Sequence, residues 1–146
     1  MIRESKTQDL KAITEIYNDA ILNTTAVYTY LETTVEERTQ WMVKKQNEGW
    51  PLWVYEIEGN IAGFATYGAF RDWPAYQYTI EHSIYVSTQY RRKRVASKLL
   101  MHLIEDAKKK GYQTIVAGID ASNKRSILLH ERHGFVAAGV LRQVGY

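Results

Sequence analysis

The sequence predicts an α/β fold with a mixed central sheet flanked by helices, and three observations carry that prediction. Short β-rich runs and runs of helical period alternate along the chain. The run Tyr78 to Val86 carries bulk on both faces, as a central strand does, and a helix-period stretch follows it after only a short basic loop. No repeat, linker or low-complexity segment breaks the pattern, so residues 1–146 read as one domain.

Taken in order, Ile2 to Glu4 reads as a short strand. Thr7 is the expected N-cap of a first helix, in which Leu10, Ile13, Ile16, Tyr17, Ala20 and Ile21 recur at helical spacing to about Leu22. The stretch NTTAVYTYLE, rich in β-branched and aromatic residues, reads as an extended loop. Thr34 and Glu37 then form a capping-box pattern for a second helix through Trp41, Met42 and Lys45, ending near Gly49. Leu52 to Ile57 and Ile61 to Phe70 are strands joined by the hairpin signal EGN.

In Tyr78 to Val86 one face is Tyr78, Ile80, His82, Ile84 and Val86, and the other is Thr79, Glu81, Ser83 and Tyr85. From Val95 the period turns helical, with Leu99, Leu100, Leu103, Ile104 and Ala107 forming a stripe that stops at Gly111. YQTIVAGI and FVAAGVL read as two further strands. Between them Asn123 caps a short helix that holds Ile127, Leu128 and His130 and ends at Gly134.

Cysteine is absent, which excludes disulfides, thiolate metal sites and cysteine nucleophiles together. No apolar run approaches the roughly 20 residues that span a bilayer. The N-terminus MIRESKTQDL has no signal-peptide apolar region, so a cytoplasmic protein without a membrane partner is expected. In HERH, His130 and His133 lack the His-Glu-x-x-His spacing, and no metal site is expected.

The net charge is only +3, yet Arg91, Arg92, Lys93 and Arg94 stand together. That local field suits a discrete anion better than a long polyanion such as nucleic acid. A strand, a basic loop and then a helix start form an anion-site geometry, because the first helical N–H groups and the helix dipole point at the loop. Ala96 and Ser97 leave room for a phosphate, and the neighbouring cations neutralise its oxygens. Taken alone, such a charge run is more often a solvated surface.

The spacing Arg91-x-x-Arg94-x-Ala96 resembles the [Arg/Gln]-x-x-Gly-x-[Gly/Ala] pyrophosphate loop of the GNAT superfamily of acetyl-CoA-dependent N-acetyltransferases. IYNDAILNTTAVYTY, YGAFRDWPAYQYTIEHSIYV, NKRSILLHERHGF and GVLRQVGY are similar to one branch, the phosphinothricin and methionine sulfone or sulfoximine acetyltransferases, and together they cover nearly the whole chain. Two departures stand out. Arg94 occupies the usual glycine position, and an arginine is expected there only with a negative φ. The branch also continues past RQVGY into one more strand, so the expectation is a GNAT fold apparently lacking its usual last strand.

The resemblance implies a direct transfer of acetyl from acetyl-CoA to the amino group of a small amino-acid-like substrate, in a ternary complex, without a metal. It implies that the pantetheine arm lies along Ile84, Tyr85 and Val86, and that the pyrophosphate falls on Arg91, Arg92, Lys93, Arg94, Val95, Ala96 and Ser97. Asn123 and Ser126 complete the cofactor site.

Glu81 is the candidate base, with a raised pKa on a buried strand as the expectation; the bland alternative is a strand carboxylate paired with an arginine. His82 is either a hydrogen-bonded core histidine or a member of the proton path. His130 stands at the position where the superfamily often has a tyrosine that protonates the leaving thiolate, and an imidazole titrates in the right range for that role. For Asn123 a plain helix cap and a cofactor contact are compatible.

Arg71 and Asp72 occupy the loop that lines the acceptor site in the family, with Arg71 as a grip for a carboxylate or phosphinate. Tyr28, Tyr30, Phe70, Trp73 and Tyr76 either wall that pocket or serve as core or dimer contacts, and the branch implies a homodimer. Two rivals stand beside this reading: an inactive GNAT-like CoA binder, and a nucleic-acid or other polyanion module, which needs a broader basic surface than RRKR supplies.

Overall fold

The computed structural model describes residues 1–23, 31–91 and 93–140. Among them five strands form one sheet in sequence order: β1 (Ile2–Glu4), β2 (Leu52–Ile57), β3 (Asn60–Ala69), β4 (Thr79–Val86) and β5 (Thr114–Val116). The first three pairings are antiparallel and β4 pairs β5 in parallel, which makes the sheet mixed, as the sequence predicts. At the β2–β3 turn both Glu58 (φ 49°) and Gly59 (φ 82°) are left-handed, the two-residue geometry whose twist suits a hairpin.

Among the described residues there are four α-helices: α1 (Leu10–Asn23), α2 (Val35–Asn47), α3 (Val95–Lys109) and α4 (Lys124–Arg132). On one face Leu10, Ile13 and Ile16 of α1 and Met42 of α2 pack against Leu52, Val54 and Phe64. On the other, Val95, Leu99, Leu103 and Ala107 of α3 pack against Trp53, Ala65, Tyr67 and Ile80. Leu99 and Leu103 are fully buried, and each such side chain contributes roughly 1.5–3 kcal/mol. The alternation read in β4 holds: Ile80, Ile84 and Val86 join the α3 side, while Tyr85 joins the α1/α2 side. Thr34 caps α2 by accepting a hydrogen bond from the Glu37 N–H at 3.1 Å.

Three expectations need correction. A 3-10 turn at Thr7–Asp9 leads into α1 with Lys6, not Thr7, in the capping position. The buried Asp9 carboxylate accepts from the Lys6 N–H at 2.7 Å and from Arg3 at 2.8 and 2.9 Å, and Arg3 reaches on to Glu56 at 2.8 Å. A charged acceptor with its counter-ion in place is stronger here than a threonine hydroxyl. The strand expected over YQTIVAGI shortens to Thr114–Val116, because pairing with β4 ends at Glu81↔Val116 and β-propensity without a partner strand makes no ladder. Residues 135–140 of FVAAGVL form no strand either: they pair with no strand among the described residues, and Val136 is 86% exposed. The expected loop over NTTAVYTYLE, with Tyr28 and Tyr30, falls mostly outside the described residues, as does the end of GVLRQVGY.

Candidate active site

The site is built on β4, which presents three different surfaces. In its antiparallel ladder with β3, Ser87 N–H donates to Ala62 O (2.8 Å) and Thr79 O accepts from Phe70 N–H (3.4 Å). Backbone groups of alternate residues point to opposite sides, so 79, 81, 83, 85 and 87 face β3 and the even-numbered residues face β5. Tyr78 O indeed accepts from Gln113 N–H (2.9 Å) and Thr114 N–H (3.3 Å). Since β5 pairing stops at Glu81↔Val116, the N–H and C=O groups of Ile84 and Val86 face a gap among the described residues. An extended, amide-bearing ligand fits that gap as an added strand.

The gap leads to the start of α3. No side chain caps that helix, leaving its first N–H groups open. Arg91, Lys93 and Arg94 beside it are exposed and form no ion pair among the described residues. Arg94 sits at φ 61°, ψ 23°, in the left-handed region, so the expected negative φ is not what the chain adopts. The turn into α3 demands that conformation whatever the residue, which is why glycine is the natural occupant. Val95 is buried, whereas Ala96 and Ser97 are half-buried in the first turn. Arg92 lies outside the described residues.

The α1/α2 face of the same strand closes a cavity of about 190 Å³ whose walls include Tyr17, Arg38, Trp41, Lys45, Glu81 and Ser83. Glu81 is exposed to this space instead of being buried in the sheet, and it has no hydrogen bond or ion pair among the described residues. The alternative of an arginine-paired strand carboxylate therefore finds no partner here. An unengaged carboxylate in a cavity can accept a proton from a bound amine.

The chain also resembles known proteins over most of its length. The profile of the Acetyltransferase (GNAT) family matches residues 10–135. The chain belongs to the GNAT family.

A crystal structure of an N-acetyltransferase from Staphylococcus aureus Mu50 superposes on this GNAT chain with TM-score 0.99 and 59% identity, covering 100% of this chain and 88% of that one. The L-methionine sulfoximine/L-methionine sulfone acetyltransferase of Salmonella typhimurium is 38% identical over 144 residues, 99% of this chain and 84% of the relative. A phosphinothricin acetyltransferase from Sinorhizobium meliloti, solved in complex with AcCoA, superposes with TM-score 0.96 and 31% identity over 100% of this chain and 80% of its own.

On the α3 side of β4, the GNAT chain brings His82 and His130 together. Their Nε2 atoms are 2.9 Å apart, the rings are stacked, and Phe135 packs edge-on against both. His130 Nδ1 lies 2.6 Å from Ser126 O, and a carbonyl only accepts, so Nδ1 carries the His130 proton. His130 Nε2 is then the acceptor and His82 Nε2–H the donor, which leaves His82 Nδ1 bare, sealed from solvent and without a partner. Burial and the neighbouring His130 push the His82 pKa down to about 4, and burial also lowers that of His130. Both rings are neutral at pH 7, and His82 is hydrogen-bonded to His130.

Asn123 caps α4 by accepting from the Ser126 N–H at 3.2 Å, which leaves its own amide N–H groups available. Ser97 Oγ meets His133 Nε2 at 2.9 Å, tying α3 to α4; the sequence reading passed over His133 because it looked only for metal spacing.

The FRDWP segment lies beyond the end of β3 and outside the walls of the cavity. The Arg71 guanidinium stacks 4.1 Å over Phe70 and donates to Phe70 O, Phe70 meets Tyr76 edge-on, and Asp72, Trp73 and Tyr76 are exposed. Arg38 and Lys45 do line the cavity, and sequence reasoning missed both. The signal was present: they share a helix face with Trp41, next to the buried Met42. Among the described residues no group of three or more His, Asp or Glu could hold a metal ion, and no helix is long and apolar enough to cross a membrane.

Proposed function

We propose that the protein transfers acetyl from acetyl-CoA to the α-amino group of a small amino-acid analogue of the methionine sulfoximine, methionine sulfone or phosphinothricin kind, by direct attack in a ternary complex. The single observation that carries the reading is the division of labour on β4: open backbone at Ile84 and Val86 on one edge, and Glu81 in a cavity on the α1/α2 face. Acetyl-CoA, when bound, supplies the activated thioester.

The rest follows from this chain's residues. Backbone of Ile84 and Val86, with Tyr85 between them, orients the pantetheine arm as an added strand. Arg91, Lys93 and Arg94 surround the open start of α3 and neutralise the phosphates, with Arg92 in the same run and Val95, Ala96 and Ser97 supplying backbone. Asn123 turns its amide toward the cofactor while its oxygen caps α4, and Ser126 holds the His130 tautomer. Glu81 takes the proton of the acceptor ammonium, directly or through one water, because only a neutral amine attacks a thioester. With Nδ1–H held by Ser126 O and Nε2 accepting from His82 Nε2–H, His130 has no free N–H in this arrangement, so the departing thiolate takes the second proton of the attacking nitrogen as the C–S bond breaks. Arg71 and the FRDWP aromatics border the acceptor entrance. The reading extends to a cytoplasmic homodimer of one-domain subunits, as the branch resemblance implies, and sedimentation of the purified chain tests the dimer.

The deciding experiment mixes purified protein with acetyl-CoA and a panel of amines that includes L-methionine sulfone, L-methionine sulfoximine and phosphinothricin, and follows free CoA. Amine-dependent release is the expected result. A folded protein that releases no CoA with any amine would refute the reading, and the absence of a thermal shift with CoA would place the failure in the cofactor site.

A further inference from the structure

The cavity between α1, α2 and the sheet holds two cations to which the reading above gives no role. Arg38 and Lys45 are two helical turns apart on α2 and therefore share a face. Trp41 stands between them: the Arg38 guanidinium carbon is 4.7 Å and Lys45 Nζ is 5.8 Å from its ring centroid. The guanidinium also lies 4.5 Å over Tyr17. Stacking occupies its flat faces and leaves only the N–H edge for binding, and Nε on that edge is sealed from solvent without a hydrogen-bond partner. An unpaired buried donor of this kind is costly, and to a charged group a hydrogen bond is worth more than to a neutral one.

Lys45 is in a similar position. Its Nζ donates to Tyr67 O at 2.9 Å, leaving two of its three N–H bonds uncommitted to any hydrogen-bond acceptor among the described residues. Burial pushes its pKa down to about 8, so it remains mostly charged near neutrality. Neither cation forms an ion pair among the described residues, and Glu81, in the same wall, is left free as well. A small cavity with two cations facing inward and a separate unpaired carboxylate is complementary to a zwitterion that carries additional anionic or strongly polar oxygens.

We propose that Arg38 and Lys45 are the acceptor-selecting residues: they hold the oxygen-bearing groups of the substrate, its α-carboxylate and the polar oxygens at the end of its side chain, while Glu81 faces its amine. This rests on the acetyltransferase reading. It makes the preferred acceptors amino acids with an oxidised sulfur or phosphorus side chain, ahead of simple amines and amino-acid amides.

The test compares kcat/KM for L-methionine sulfone with two analogues, its carboxamide and L-methionine, in the wild-type protein and in Arg38→Met and Lys45→Met. Calorimetric binding of the sulfone to the CoA-saturated protein gives a readout independent of turnover. The first ratio reports the carboxylate and the second the sulfone oxygens. Each variant is expected to lower at least one ratio by about tenfold to a hundredfold, the range of a hydrogen bond to a charged group, and to weaken sulfone binding in parallel. A CoA-induced thermal shift like that of the wild type verifies folding; Arg38→Lys and Lys45→Gln replace any variant that fails to fold. If either position leaves both ratios and sulfone binding unchanged, the inference is overturned. Absence of CoA release by the wild-type protein with every acceptor would instead sink the acetyltransferase reading beneath it.

Discussion

Arg94 at φ 61° and Glu81 without a partner among the described residues are the two residues on which the proposed chemistry most depends, and each makes a separate prediction. The left-handed conformation costs an L-residue about 1–2 kcal/mol, while glycine loses about 0.5–1 kcal/mol more chain entropy on folding. Arg94→Gly is therefore expected to raise stability in urea by up to about 1 kcal/mol, and to weaken CoA binding through the lost charge. A destabilised variant would contradict the strain argument. Glu81→Gln is expected to lower kcat by about 10²–10⁴ with CoA affinity retained; equal loss of both would count against a base. His82 supplies a pH dependence. Its folded pKa of about 4 lies below the ordinary histidine value, so the unfolded chain takes up a proton that the folded one refuses. Stability is complete above about pH 6.5 and falls toward pH 4 by on the order of 3 kcal/mol. Denaturation curves of His82→Leu should show a flatter acid limb than those of the wild type. At this scale the sequence disclosed which face of a strand a residue occupies far better than it disclosed that residue's surroundings. Glu81 and His82 were legible from strand alternation, whereas the stacking of Arg38 on Tyr17 and Trp41 depends on how α1 and α2 meet, and polar helix positions read as solvent-facing until that packing is known.

Among the elements, β4 does most to define the site, and its position relies on close contact with β3. A Cβ on Gly63 would lie 2.8 Å from Tyr85 O and 3.1 Å from Val95, so Gly63→Ala must push β4 or α3 away. The expected cost is about 1–3 kcal/mol, together with weaker CoA binding, because the same stretch carries Ile84 and Val86. Calorimetric Kd values beside urea melts measure both, and an unaffected CoA affinity in a clearly destabilised variant would argue that the cofactor does not use this edge. The helices and the first four strands were legible because their periods are regular and their ends carry Thr34, Gly111 and Gly134. The length of β5 and the stretch after Gly134 were not, because apolar β-branched sequence states a tendency that only a partner strand realises. The shortness of β5 is what opens the gap beside Ile84, so the feature hardest to read locally is the one that makes room for a ligand.

Across the whole molecule the sheet separates two tasks. In the proposed reading the open edge of β4 and the start of α3 take the cofactor, and the cavity under α1 and α2 takes the acceptor; Glu81 stands on the strand they share. Such a layout lets both substrates be present together, and a chain without cysteine has no thiol to hold the acetyl group between them. Initial-velocity measurements with acetyl-CoA and L-methionine sulfone varied against each other test this most directly. The account predicts double-reciprocal lines that intersect, with no CoA released before the amine is added; parallel lines and a burst of CoA without amine would contradict it.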